Sequence, residues 1–157
     1  MKPVVTLKLQ TIEDIFTMDY KAIIDAINTP EHLYVIEARP EGKKSVRGDR
    51  GAKWNPSKKT MTDWGWQLKA QHKNNPLFTG PLHLDITYAF KRPKSHSKKR
   101  QEVMWHTNLG DLDNIHKTLG DCGQDVLWDN DKIICSTYER KIWCAVDCII
   151  IRVKELK

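Results

Sequence analysis

Residues 110–131 concentrate acidic side chains in a chain that is basic as a whole. This stretch contains six aspartates and one lysine, whereas the 157-residue chain has a formal net charge of +6. Carboxylate oxygens are the ligands that hard divalent cations such as Mg²⁺ prefer. A bound cation would reverse the local charge and let a phosphodiester approach. The stretch therefore predicts a metal-dependent site that acts on a phosphate ester.

The spacing of these residues suits a site at the start of a helix. In mid-helix, Asp111 and Asp113 would point about 200° apart, but at an N-terminus Asp111 can occupy the cap position and both carboxylates can converge. Lys117 follows Asp113 by four residues on the same helix face. Asp131 comes from a turn before a strand, from which a side chain can reach back to the helix start.

A purely structural interpretation fits the same spacing. An N-cap aspartate, an acidic residue in the first turn and an i,i+4 ion pair all stabilise ordinary helices. The tripeptide at 129–131 is also common turn chemistry. Spacing alone leaves both interpretations open.

Two segments carry most of the positive charge. Residues 39–59 hold eight Lys or Arg and two acidic residues, and residues 91–100 hold six basic residues and no acidic one. Such segments bind phosphate backbones because each contact releases counterions. The candidate DNA-binding residues are Lys43, Lys44, Arg47, Arg50, Lys53, Trp54, Lys58, Lys59, Lys91, Arg92, Lys94, Lys98, Lys99 and Arg100. Trp54 is the best candidate for stacking on an unpaired base, whereas Trp64 is expected in the core.

The periodicity of apolar residues predicts one α/β domain with a small mixed sheet and flanking helices. Strands are expected at 4–9, 31–40, 82–90, 132–140 and 141–153, with the last two able to form a hairpin. Helices are expected at 18–30, 57–73 and 111–122, and loops at 41–59 and 91–100. The strand at 141–153 is apolar on both faces except at Asp147, which is typical of a central strand.

Several other site types are disfavoured. The four cysteines form no C-x-x-C pair and are expected to be reduced and mostly buried. His106 and His116, with Asn114 or with cysteines, lack the ligand spacing of a zinc or His/Asn nuclease site. No apolar run reaches the length of about 18 residues that a membrane span needs. The N-terminal segment turns acidic where a signal peptide has its apolar core, which predicts a cytoplasmic protein.

From about Glu41 onward the sequence resembles the RusA family of Holliday junction resolvases. Four motifs in the family's order carry the resemblance: a basic loop followed by "NPSKKTMTDW", the strand end "FKRPKSHSKK", then "DLDNIHKTLGD" and "VLWDNDKI". The resemblance implies an α/β homodimer that uses Mg²⁺ or Mn²⁺. It also implies that the enzyme nicks four-way DNA junctions symmetrically. Enzymes of this family are common in phages and prophages.

The resemblance assigns roles position by position. The residues that match the family's metal-binding carboxylates are Asp111, Asp113 and Asp131, with Asp129 as a further candidate. Lys117 matches the catalytic lysine. The residues that match supporting positions around these groups are Asn114, Asp121 and Asn130.

The chain also departs from the family's pattern. Gly110 replaces a proline, Asn130 an aspartate and Ile133 a glutamine, and residues 1–35 precede the usual start as an extension. The intact set of three aspartates and Lys117 favours an active enzyme. The alternative is a non-catalytic DNA-binding protein that keeps the fold and the basic loops.

Overall fold

A computed structural model describes residues 32–45, 47–49, 52–97, 104–108 and 110–156. For residues 47–49 and 52–54 it describes the backbone but not the side chains. The strands are β1 His32–Ile36, β2 Arg47–Asp49, β3 Ala52–Trp54, β4 Leu82–Lys91, β5 Ile134–Cys144 and β6 Cys148–Glu155. The helices are α1 Lys58–His72 and α2 Leu112–Gly123, followed by a short 3-10 helix at Asp131–Ile133. The strand expected at 4–9 and the helix expected at 18–30 lie outside the described residues.

Four strands form a mixed sheet in the order β1-β6-β4-β5. Strand β6 is antiparallel to both of its neighbours, whereas β4 and β5 are parallel. Two helices accompany this sheet, which confirms the predicted mixed α/β class. The strand expected at 141–153 is confirmed only in part: residues 148–153 belong to the inner strand β6, whereas 141–144 belong to the edge strand β5.

The hairpin expected between 132–140 and 141–153 is wrong. The chain continues as one strand through β5, turns at 145–147, and returns as β6 on the other side of β4. The polar residues at 138–141 do not break the strand because β5 is an edge strand, where they can stay partly solvated. The chain reverses at Asp147, whose Oδ1 accepts a hydrogen bond from the Lys91 backbone N at 2.7 Å.

The loop expected at 41–59 contains a small antiparallel hairpin. Its strands β2 and β3 are three residues each, and Arg47 pairs with Trp54. Strands this short give too little sequence for an apolar alternation to be seen. Outside this hairpin, residues 41–45 carry no helix or strand, as predicted.

One face of the sheet carries the core on which both helices pack. Trp64 and Leu68 of α1 are fully buried there, and so are Ile115 and Leu119 of α2. The alternating residues of β4 that were expected inside all belong to this cluster: Leu82, Leu84, Ile86, Tyr88 and Phe90. This packing fixes the orientation of α2 relative to the sheet.

The other face of the sheet carries a second apolar cluster. It comprises Leu33, Val35, Ala89, Ile142, Cys144, Cys148 and Ile150. Because Thr87 and Ala89 are buried here, the second half of β4 is covered on both faces rather than on one as expected.

The four cysteines are free thiols, three buried and Cys135 exposed, in agreement with the sequence prediction. Burial raises the pKa of Cys122 and of Cys148 to about 12, so these thiols are unreactive at neutral pH. Within the described ranges, the chain contains no helix long and apolar enough to cross a membrane.

Candidate active site

Asp111 occupies the N-cap of α2, as the sequence predicted. Its backbone is extended, and its carbonyl accepts hydrogen bonds from the backbone N of Asn114 and of Ile115, each at 3.1 Å. Its side chain makes no capping hydrogen bond and is exposed to solvent. The helix therefore does not occupy the Asp111 carboxylate, which is available to a cation.

The entry into α2 depends on Gly110 and Lys141. Gly110 has φ of +95°, a conformation that a proline with φ near −65° cannot adopt. The Lys141 Nζ on β5 donates to the Gly110 carbonyl at 2.6 Å and to the Asn108 carbonyl at 3.2 Å. The backbone that leads into α2 therefore differs from the one that a proline at this position would give. Lys141 of the sheet stabilises this backbone through its two hydrogen bonds.

Asp113 and Lys117 form the expected i,i+4 ion pair on α2. The Lys117 Nζ lies 3.2 Å from the Asp113 Oδ2, and both side chains are more than 60% exposed. A pair this exposed contributes only a few tenths of a kcal/mol to stability. Neither charge is therefore committed to the fold, and both can interact with a ligand.

Asp131 begins the 3-10 helix that precedes β5 and lines a cavity of about 350 Å³ beside α2. The cavity is also lined by His116, Lys117, Gly120 and Asp121 and by the start of β5 at 134–137. Asp111 and Asp113 are not on its wall. The structure thus brings Lys117, Asp121 and Asp131 together in one cavity and places the other two aspartates at the adjoining helix start.

The donor chemistry of the three aspartates fits a magnesium ion. Asp111, Asp113 and Asp131 are all exposed, and Mg²⁺ typically takes one or two protein carboxylates together with water and substrate phosphate. Among the described residues, no group of three or more His, Cys, Asp or Glu side chains is arranged to hold a metal. A cation here would therefore rely on fewer protein ligands at once.

Two of the expected supporting residues contact the basic segment. The Asp121 Oδ2 lies 2.6 Å from the Lys43 Nζ. The Asn114 carbonyl accepts from the Lys43 backbone N at 3.4 Å, and a Cβ on Gly42 would lie 2.4 Å from the Asn114 Nδ2. The start of the basic segment therefore packs against α2, although the sequence placed these two residues around the metal.

Asn130 and Asp129 have other surroundings. The Asn130 Oδ1 accepts from the backbone N of Lys132 at 3.0 Å and caps the 3-10 helix. An aspartate would accept the same bond, so the cap does not explain the asparagine at the position where the family pattern has an aspartate. Asp129 is exposed and its backbone N donates to the Phe78 carbonyl at 3.2 Å.

The candidate DNA-binding residues are described only in part. Lys58, Lys59, Lys91 and Lys94 are exposed, and Lys44 lies 3.7 Å from Glu41. The Arg92 guanidinium lies 5.9 Å from the centre of the Trp143 ring. The candidates outside the described residues are Arg50, Lys98, Lys99 and Arg100, and the side chains of Arg47, Lys53 and Trp54 are also outside. Trp64 is buried, as predicted.

The sequence missed a half-buried polar chain that begins at the cavity wall. The His116 Nδ1 lies 2.5 Å from the Glu139 Oε1, and the Tyr88 hydroxyl donates to the same oxygen at 3.0 Å. The hydrogen bond to Glu139 raises the pKa of His116 against the opposing effect of burial, and Asp131 adds to the rise. Glu139 lies within the polar run at the end of a predicted strand. Its polar neighbours in sequence are typical of solvent-exposed residues and gave no sign of the contact with His116.

His106 has no role in a metal site. Its buried ring stacks on Phe90, with centroids 4.0 Å apart, and lies 4.1 Å from the Trp143 ring. Burial, together with the charge of Lys141, lowers the pKa of His106 to about 4. His106, His116 and Asn114 thus have separate surroundings, which argues against the His/Asn nuclease interpretation.

The family of the chain is shown by its similarity to a known sequence profile. The sequence profile of the family described as Endodeoxyribonuclease RusA matches residues 36–154. The chain belongs to the RusA family. The match includes α2, the cavity, β4 and β5, and all of β6 except its last residue. Membership confirms the predicted class of DNA-binding, Holliday-junction-resolving endonucleases.

A curated relative is also similar over most of its length. The uncharacterized protein YqaN of Bacillus subtilis (strain 168) is 24% identical to this RusA-family chain over 130 residues. The aligned region covers 78% of this chain and 90% of that protein. The likeness therefore extends over nearly the whole of YqaN.

Proposed function

We propose that the protein is a Mg²⁺-dependent, structure-selective endonuclease that nicks four-way DNA junctions at paired symmetric positions. One observation carries the proposal most directly. Asp111 occupies a helix N-cap without making the capping bond, two residues before Asp113, which pairs with Lys117. Lys117 lines the same cavity as Asp131. Exposed carboxylates beside an exposed lysine suit phosphodiester hydrolysis.

The proposed roles follow from charge and position. Asp111, Asp113 and Asp131 would supply the ligands of Mg²⁺, one or two at a time together with water and phosphate, with Mn²⁺ as a substitute and Asp129 as a further candidate. The metal would supply Lewis acidity at the phosphate. Lys117 would contact a phosphate oxygen and stabilise the negative charge that develops there as water adds and the leaving oxygen departs.

The basic segments would hold the DNA while the acidic helix start acts on it. Lys43 and the exposed Lys58, Lys59, Lys91 and Lys94 are the described candidates for phosphate contacts. Without a cation, the aspartates would repel the strand that must reach Lys117. We therefore expect cleavage to need the metal more strongly than binding does.

Paired nicking calls for a homodimer. A four-way junction has near-two-fold symmetry, and a two-fold dimer presents two copies of the site at a fixed separation. Trp66 on α1 and Tyr138 on the edge strand β5 are exposed at 65% and 55% and are candidates for the dimer interface. Light scattering should give twice the 18.3 kDa chain mass.

The alternative is a DNA-binding protein without catalysis. It is favoured by the lack of a three-ligand metal group among the described side chains. The two proposals differ in one prediction. A protein without catalysis would bind junctions with or without Mg²⁺ and would cleave none of them. A single domain over 1–157, with 1–35 as an extension, and a cytoplasmic location both stay predictions.

The experiment compares nicking and binding in matched variants. Asp111→Asn, Asp113→Asn and Asp131→Asn should each abolish nicking of a synthetic four-way junction in Mg²⁺ while leaving binding intact or tighter. Asp125→Asn is the control, because Asp125 is exposed, lies outside the cavity and has φ of +59°, which asparagine also tolerates. Wild-type rates in all three site variants would overturn the assignment.

A further inference from the structure

The cavity beside α2 presents a titratable side chain that the motif residues do not include. Lys117, Asp121 and Asp131 line it together with His116, which precedes Lys117 directly on the helix. Asp121 is already paired with Lys43 at 2.6 Å. A phosphate bound next to Lys117 would therefore face a wall that includes the His116 imidazole, to which no role has been given.

The His116 ring is held by one edge only. Its Nδ1 lies 2.5 Å from the Glu139 Oε1, and that oxygen also accepts from the Tyr88 hydroxyl at 3.0 Å. Tyr88 is fully buried, and burial raises its pKa, so its hydroxyl remains a donor. Glu139 thus accepts from both groups, which holds a proton on Nδ1 and fixes the orientation of the ring. The Nε2 edge is a donor when the ring is protonated, and the contact with Glu139 favours that form by raising the pKa of His116.

The opposite ring edge remains for the cavity. No described side chain or backbone group pairs with the His116 Nε2, and the ring is half-buried rather than sealed. The charged groups that face this ring are Glu139 from β5, Asp131 from the 3-10 helix and Lys117 from its own helix. A hydrogen-bond donor in this place lies within the same cavity as Lys117.

We propose that His116 is a phosphate-contacting residue of the cleavage site, and that Glu139 and Tyr88 are its positioning residues. In the protonated ring the Nε2–H donates to a phosphate oxygen of the bound strand, next to the oxygen that Lys117 contacts. The inference rests on the proposed nuclease function for the identity of its ligand. A purely structural alternative is that His116 only satisfies the buried Glu139 carboxylate.

The test separates these two roles with isosteric variants. His116→Asn keeps a donor near the Nδ1 position for Glu139 and removes the Nε2 edge, and Asn and His have similar helix propensities. Binding of a synthetic four-way junction is measured over a range of salt concentrations with Ca²⁺ in place of Mg²⁺, so that the charge of the aspartates stays compensated. His116→Asn should weaken binding about tenfold. It should also flatten the slope of log affinity against log salt by about one.

His116→Lys serves as the rescue and His83→Asn as the control. His116→Lys returns a cation to the cavity and should restore most of the slope, which a structural role would not explain. His83 is also held through Nδ1, by the Ser136 Oγ at 2.9 Å, but does not line this cavity. His83→Asn should therefore leave both the affinity and the slope unchanged.

Positioning by Glu139 is tested through non-additivity. Glu139→Gln should reduce junction affinity as His116→Asn does, and the double variant should be no worse than either single variant. An unchanged slope in a folded His116→Asn protein would overturn the inference, and so would equal losses in His83→Asn. Because these readouts use binding alone, a failure to nick would count against the proposed function and not against the His116 contact.

Discussion

Replacement by alanine should have opposite effects on the free energy of unfolding at two glycines of α2 that lie three residues apart. Gly123 ends the helix, and a Cβ there would lie 2.2 Å from Cζ2 of Trp128 and 2.6 Å from two further atoms of the indole. Trp128 is fully buried, and the Gly123 carbonyl accepts from the backbone N of Val126 and of Leu127. Neither the ring nor the turn can move without losing contacts.

The size of the effect follows from this clash. Overpacking a well-packed core costs about 1–3 kcal/mol, and the ordinary gain from replacing a helical glycine by alanine offsets about 1 kcal/mol of it. A contact at 2.2 Å with a rigid ring belongs at the upper end of that range, so Gly123→Ala should lower the free energy of unfolding by about 2 kcal/mol. For a chain of this length the melting temperature should fall by about 4–8 °C.

Gly120→Ala is the matched control. A Cβ at Gly120 meets no atom within 4 Å, and the residue lies inside the helix. The substitution should therefore raise the free energy of unfolding by about 0.5–1 kcal/mol. Urea denaturation of both variants measures the difference. A Gly123→Ala protein as stable as the Gly120→Ala protein would refute the close packing of the helix end against Trp128.

Two further predictions concern pH and DNA binding. Because the pKa of the folded-state His106 is about 4, against about 6.5 when unfolded, the unfolded chain takes up this proton first. Stability should therefore fall as the pH drops from 6.5 to 4, by about 3 kcal/mol at most. His106→Phe should flatten that part of a pH series of urea denaturation curves, and an unchanged profile would contradict it. For binding, Lys91→Ala with Lys94→Ala should flatten the salt slope by about 2, whereas Lys154→Ala, outside both basic segments, should not.

Local patterns predicted the elements that carry the site. The alternation at 82–90 and the helical spacing at 57–73 and 111–122 were confirmed, because each element buries one continuous face against the same core. Asp111 was placed correctly at the N-cap because capping preferences depend on near neighbours in sequence.

Long-range contacts were not predictable in this way. The contact between His116 and Glu139 joins residues 23 apart, and the one between Lys43 and Asp121 joins residues 78 apart. The order of β5 and β6 around β4 likewise depends on pairing across the sheet, and apolar periodicity carries no information about which strands become neighbours. The ordered motifs identified the family, but the cavity behind them emerged only from the fold.

Strand-resolved mapping of cleavage on a four-way junction tests the central claim most directly. The substrate is a synthetic junction labelled on each strand in turn, with the duplex arms of identical sequence as the comparison, in Mg²⁺. The account predicts nicks at symmetric positions in two strands of like polarity, weak cleavage of the arms alone, and none of these nicks with Asp113→Asn. Equal cleavage of junction and plain duplex, or binding without any Mg²⁺-dependent nick, would contradict it.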